Sequence, residues 1–135
     1  MPNPSMPPGT LIPELAYPDL PAAVDWLTRV FGFRERLRIA SHRAQMLVDE
    51  STSFVVIHAA GAPAETTSHS LMVAVPDVDA HFARAQAEGA NILNPPTDYP
   101  YGERQYTALD LSGRRWTFSQ SIADIDPATW GGLLR

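Results

Sequence analysis

Ala16-Tyr17-Pro18-Asp19-Leu20 is written a second time as Ala74-Val75-Pro76-Asp77-Val78, fifty-eight residues further on. Each copy closes a strand-like run and opens an amphipathic one. Asp19 and Asp77 are N-cap residues by type, and Pro21 falls in the first turn, where its missing N–H costs little. Leu20, Val24, Leu27 and Phe31 then recur at helical spacing, and Val78, Phe82 and Ala85 repeat the first three at the same offset. Gly32 and Gly89 close the two helices. The repeat therefore covers a whole supersecondary unit. In a chain of 135 residues two such units nearly fill the molecule, and the place where they meet is the expected site of function.

Strands are expected on both sides of each helix. Thr10 to Tyr17 reads as the first, followed after the helix by 34–40, 43–49 and 53–58; the second half repeats the plan with 91–93, 105–111 and 115–120. Turn chemistry separates them at Ser41-His42, Asp49-Glu50-Ser51, Asn94-Pro-Pro-Thr-Asp98 and Leu111-Ser-Gly113. The expected class is α+β, with two βαβββ modules, residues 10–60 and 68–121, forming one domain over 10–121. Gly61 to Thr67 reads as the linker, residues 1–9 as a flexible, proline-rich lead-in, and 122–135 as a tail in which Asp126 to Trp130 makes a helical turn. Trp130 is expected to pack that tail onto the domain.

Composition narrows the function. Apolar residues at 44% and charged residues at 19% give the chain a core to bury. The formal charge of −5 offers no electrostatic basis for nucleic acid. All ten basic residues are Arg, so Schiff-base lysine chemistry and the P-loop lysine are excluded, although genomic base composition explains the bias equally well. With no Cys there is neither a disulfide framework nor a thiolate metal site, which fits a reducing compartment. The opening Met1 to Gly9 has no basic and apolar leader pattern, and no run reaches the roughly 18 apolar residues of a membrane span. The expectation is a cytoplasmic protein with no membrane partner.

Three passages in order, 17–33, 75–90 and 101–120, resemble the vicinal oxygen chelate superfamily, the fold of glyoxalases, bleomycin-resistance proteins and extradiol dioxygenases. The third carries Tyr101-Gly102-x-Arg104-x-Tyr106-x-x-x-Asp110-x-x-Gly113-x-x-Trp116-x-Phe118, a pattern shared with small single-domain glyoxalase-like proteins. The resemblance implies two βαβββ modules in a curved mixed sheet that cups a small ligand, helices on the outer face, usually in a homodimer. Members either hold a divalent metal for isomerase, lyase, epimerase or dioxygenase chemistry, or lack the metal and sequester an antibiotic.

The family's first-strand metal ligand lies seven residues before the helix-opening Asp, which is Ile12 in one module and Ser70 in the other; its final-strand carboxylate falls on Thr117. None of the three is a usual divalent ligand. A replacement set exists in Glu14, two residues beyond Ile12 on the same strand face, His69 beside Ser70, and His58 at a strand end. His42 and His81 are read as solvated.

Two functions follow from this. One is a protein that binds a small organic ligand, of the drug- or natural-product-sequestering type, without catalytic metal. Its expected binding residues are Glu14, Ser70, Met72, Tyr101, Arg104, Tyr106, Arg115 and Thr117. The alternative is a zinc, nickel, manganese or iron-dependent lyase, isomerase or dioxygenase with Glu14, His58 and His69 on the metal. A dimeric structural module without ligand is the third and weakest reading.

Overall fold

The computed structural model describes residues 3–61 and 69–135, and most of the expected linker lies outside them. The chain divides into two compact units, Met1–Ala64 and Glu65–Arg135.

In the first unit, β1 (Glu14–Tyr17) leads into α1 (Leu20–Phe31), and β2 (Arg34–Ile39), β3 (Arg43–Leu47) and β4 (Ser53–His58) follow. The sheet order is β1-β4-β3-β2, with β1 parallel to β4 and the remaining pairs antiparallel. The second unit repeats the plan with β5 (Leu71–Ala74), α2 (Val78–Ala87), β6 (Asn91–Asp98), β7 (Glu103–Leu109) and β8 (Arg115–Ser121), in the order β5-β8-β7-β6. Each unit is thus the βαβββ module that the repeat predicts.

The repeated phrase performs the same task twice. The Asp19 and Asp77 carboxylates accept from the amides of Ala22 and Ala80, each at 3.0 Å, which satisfies a helix donor that has no intrahelical partner. Gly32 closes α1 at φ 79°, in the left-handed region that a side chain resists. One face of α1 buries six residues, among them Leu20, Val24, Leu27 and Phe31, where the helix meets β2, β3 and β4. Helix α2 buries only Val78 and Ala85, and Phe82 instead meets the Tyr106 ring edge-on at 5.3 Å.

Several details differ from the sequence reading, and β7 runs from Glu103 to Leu109, two residues earlier at each end than expected. β1 begins at Glu14, because Pro13 has no N–H to continue the ladder and contributes only its carbonyl, to the Val55 amide at 2.8 Å. β3 ends at Leu47, two residues early. Asn94 to Asp98, read as a break, belongs to β6; the strand lies at the sheet edge, where register shifts after Ile92 and Asn94 accommodate Pro95 and Pro96. Within the lead-in, residues 4–8 are tied to the sheet: Pro4, Ser5 and Pro8 give their carbonyl oxygens to Arg36 Nη2, Gln45 Nε2 and Ser53 Oγ. Composition alone suggests mobility, but proline leaves backbone carbonyls free, and these three find side-chain donors far away in sequence.

In each sheet one face carries the module's helix and the opposite, open face carries no helix of that module. Strand alternation puts Leu15, Tyr17, Phe54 and Val56 on the helix side of the first, and Trp116, Phe118, Tyr106 and Ala108 on the helix side of the second. The tail contains the expected helical turn as a 3-10 helix, Pro127–Trp130, and Asp126 caps it.

Candidate functional site

The open face of the second module carries a cavity of about 610 Å³. Met72 and Ala74 of β5, Glu103 and Gln105 of β7, and Ser119 of β8 form its floor; Tyr101 and Trp130 close its side. Strand pairing explains the set, since Ala74 is in register with Ser119, Ser119 with Gln105, and Ser121 with Glu103, so their side chains share one face.

A line of hydrogen bonds crosses the floor. The Tyr101 hydroxyl donates to Gln105 Oε1 at 3.1 Å, Gln105 Nε2 donates to Ser119 Oγ at 3.0 Å, and Ser119 Oγ donates to Glu103 Oε1 at 2.7 Å. Ser121 Oγ donates to the other Glu103 oxygen. Tyr101 stacks on Tyr99, with centroids 5.3 Å apart and planes at 7°, and meets Trp130 at 5.6 Å and 64°. Desolvation, then the neighbouring Tyr99 and Glu103, push the Tyr101 phenol above its ordinary pKa, so at neutral pH it keeps the proton it donates. Gly102 sets the position of Tyr101: at φ +84° a Cβ there would stand 2.3 Å from the Ala123 carbonyl oxygen.

Of the residues expected to bind ligand, the structure brings Met72 and Tyr101 to this cavity. Thr117 shares the face but is bonded to Thr107 at 2.9 Å, one strand pair beyond the floor. Arg115, at the start of β8, lies further along the same face, and Ser70 precedes β5 in an exposed position. Arg104 and Tyr106 lie on the opposite face, because they alternate with Glu103 and Gln105 along β7. Arg104 clasps Asp98 through two nitrogens, at 2.6 and 3.2 Å, and reaches Asp79 in the first turn of α2 at 2.9 Å. The Tyr106 hydroxyl bonds to His81, whose ring lies 4.0 Å from Phe118. His81 is therefore part of the helix-to-sheet contact rather than solvated, and burial raises the Tyr106 pKa. Glu14 belongs to the first module, where it faces Arg43 at 3.5 Å.

Sequence reasoning missed Glu103 and Gln105 as site residues and gave Trp130 only a packing role. The signal for the first two was present: with Tyr106 and Ala108 buried, period-two alternation turns Glu103, Gln105 and Thr107 to the other face. For Trp130 no local signal exists, because the tail's return places it.

The donors for a divalent metal do not fit together. Glu14 is in register with Val55 on the open face of its sheet, whereas His58 is in register with Tyr17 on the helix side. A carboxylate and an imidazole on opposite faces of one sheet cannot share an ion, and Ile12, Ser70 and Thr117 supply no ordinary ligand for it. His69 is exposed ahead of β5. Among the described residues no group of three or more His, Cys, Asp or Glu side chains is arranged to hold an ion.

Residues 11–118 match the sequence profile of the Glyoxalase/Bleomycin resistance protein/Dioxygenase superfamily. The chain belongs to this superfamily. Among solved structures, TioX from Micromonospora sp. ML1 is similar at 38% identity and a TM-score of 0.70, over 86% of this chain and 98% of that one. A glyoxalase/bleomycin resistance protein/dioxygenase from Nocardioides shares the fold at 20% identity and a TM-score of 0.66, over 93% of this chain and 89% of its own. A glyoxalase/bleomycin resistance protein from Catenulispora acidiphila does so at 22% and 0.64, over 82% and 96%. No curated protein matches the chain. Among the described residues of this superfamily member, no helix is long and apolar enough to cross a membrane.

Proposed function

We propose that this superfamily member binds a small organic molecule on the open face of its second module and sequesters it, as a drug- or natural-product-binding protein, without a catalytic metal. The observation that carries the reading is the cavity itself: about 610 Å³, walled by Met72, Ala74, Tyr101 and Trp130, with a few fixed polar groups on its floor. Small-molecule sites are built in this way, with apolar area supplying affinity and a few polar groups fixing orientation. The mismatch of Glu14 and His58 supports the metal-free form. From the family resemblance the reading takes a homodimer, and from the Cys-free composition a reducing compartment, the cytoplasm.

The test is a titration of the purified protein with a panel of aromatic natural products, followed by tryptophan fluorescence. Saturable quenching is expected, with loss on Trp130→Ala and recovery of the compound chemically unchanged. Conversion of the compound would overturn sequestration. Stoichiometric zinc, nickel, manganese or iron in protein purified without chelator, lost on Glu14→Ala, would overturn the metal-free form. Sedimentation as a monomer would remove the homodimer.

A further inference from the structure

The hydrogen-bond line in the cavity has a direction, and the direction selects a ligand. Once the Tyr101 hydroxyl donates to Gln105 Oε1, the amide must present its NH₂ to Ser119, and Ser119 is left with its own proton to give to Glu103. Ser121 gives its proton to the same carboxylate. The two serine hydroxyls are thus directed along the sheet toward one carboxylate and the Tyr101 hydroxyl toward Gln105, so that of these groups only the second Gln105 N–H is left for the cavity. An ionised carboxylate has about four lone-pair sites, of which the two serines occupy two. No ion pair among the described residues compensates Glu103, which lines the cavity. The rest of the wall is flat and apolar: Trp130 and Met72 are 44% and 67% exposed, and Tyr101 is braced from behind by Tyr99.

The geometry points to Glu103 as the specificity-determining residue, an acceptor that selects flat apolar ligands bearing an N–H or ammonium donor and disfavours those bearing an anion. The inference rests on the reading of this cavity as the ligand site. A ligand N–H completes the hydrogen bonding of a partly desolvated carboxylate, and a charge-assisted bond of this kind is the strong class. A ligand carboxylate would instead meet Glu103 with its serine donors already engaged.

Three probes that share one ring system test it: proflavine, with amino donors and positive charge; acridine, with neither in mildly alkaline buffer; and acridine carboxylate. Wild-type protein is expected to bind proflavine about tenfold or more tightly than acridine, and acridine more tightly than the carboxylate. Glu103→Gln is expected to bring proflavine close to the acridine level, its fold being checked by a thermal melt. The wild-type ranking needs no variant, so a misfolded Glu103→Gln leaves the inference testable. Equal binding of all three overturns the role of Glu103 and leaves the cavity in place. Binding of none overturns the cavity as a site for flat ligands.

Discussion

The two modules share a plan and use their open faces in opposite ways. By strand register Glu14 stands where Met72 does, Arg43 where Gln105 does and Val55 where Thr117 does. On the first face the chain covers itself. Gln45, 4% exposed, and Ser53, 1% exposed, are buried polar groups whose donors are taken by the carbonyls of Ser5 and Pro8, and the space left between the lead-in and the sheet is about 250 Å³. On the second face Met72 stays exposed among the described residues, and the tail contributes an aromatic wall. A duplicated unit thus becomes functionally unequal through its termini rather than its strands. The N-terminal segment satisfies buried polar groups and closes one face, while the C-terminal segment adds apolar surface and leaves the other inviting.

The strongest way to break the comparison is to remove the first module. Leu27 is fully buried on α1. Leu27→Asp places an unpaired carboxylate there at a cost of several kcal/mol, against a total stability of roughly 5–15 kcal/mol, so no cooperative melt is expected by circular dichroism. A folded, soluble variant would mean that the α1 face has been misread. Gly102→Ala comes next. Its positive φ and the close Ala123 carbonyl predict a loss of about 1–3 kcal/mol in chemical denaturation, together with weaker ligand quenching as Tyr101 shifts.

Ser53→Ala sharpens the contrast from the other side. It removes the donor to the Pro8 carbonyl, with an expected cost of about 1 kcal/mol and faster proteolysis within the lead-in, while proflavine affinity at the second module is unchanged. The smallest effect is expected at Arg104. Its guanidinium holds the Asp98 carboxyl below the ordinary aspartate value of 3.8, so the contribution is present above that pH and is lost as the pH falls through the lowered value. Arg104→Gln should therefore lower Tm slightly near neutrality, and the gap from wild type should close as the pH falls through the lowered Asp98 value.

The fold was legible because its signals are local. A cap Asp needs only the next three residues, and the fifty-eight-residue repeat displays the same cap twice. The site was less legible for a physical reason. The family pattern in the third passage is written by residues that brace the helix side: Arg104 ties β6 and β7 to α2, Tyr106 bonds His81, and Asp110 receives the Trp116 indole N–H at 3.0 Å while accepting the amides of Ser112 and Arg114. Apart from Tyr101 and Gly102 at its start, the pattern stabilises one face and points away from the other. Glu103 and Gln105 sit between its fixed positions, and Trp130 reaches the cavity through the return of the tail, where the Gly102 carbonyl accepts from the Ile122 amide at 2.8 Å. The lead-in bonds to Arg36, Gln45 and Ser53 span thirty-two to forty-five residues, a distance at which composition carries no information.

The most direct test of this inequality is a proflavine titration of isotope-labelled protein followed by amide NMR shifts. Saturable shifts are predicted at Met72, Glu103, Gln105, Ser119 and the Trp130 indole, with Ser5, Arg43, Gln45 and Val55 still. Shifts confined to Arg43, Gln45 and Val55, with release of Ser5 and Met6 from the first module, would contradict it.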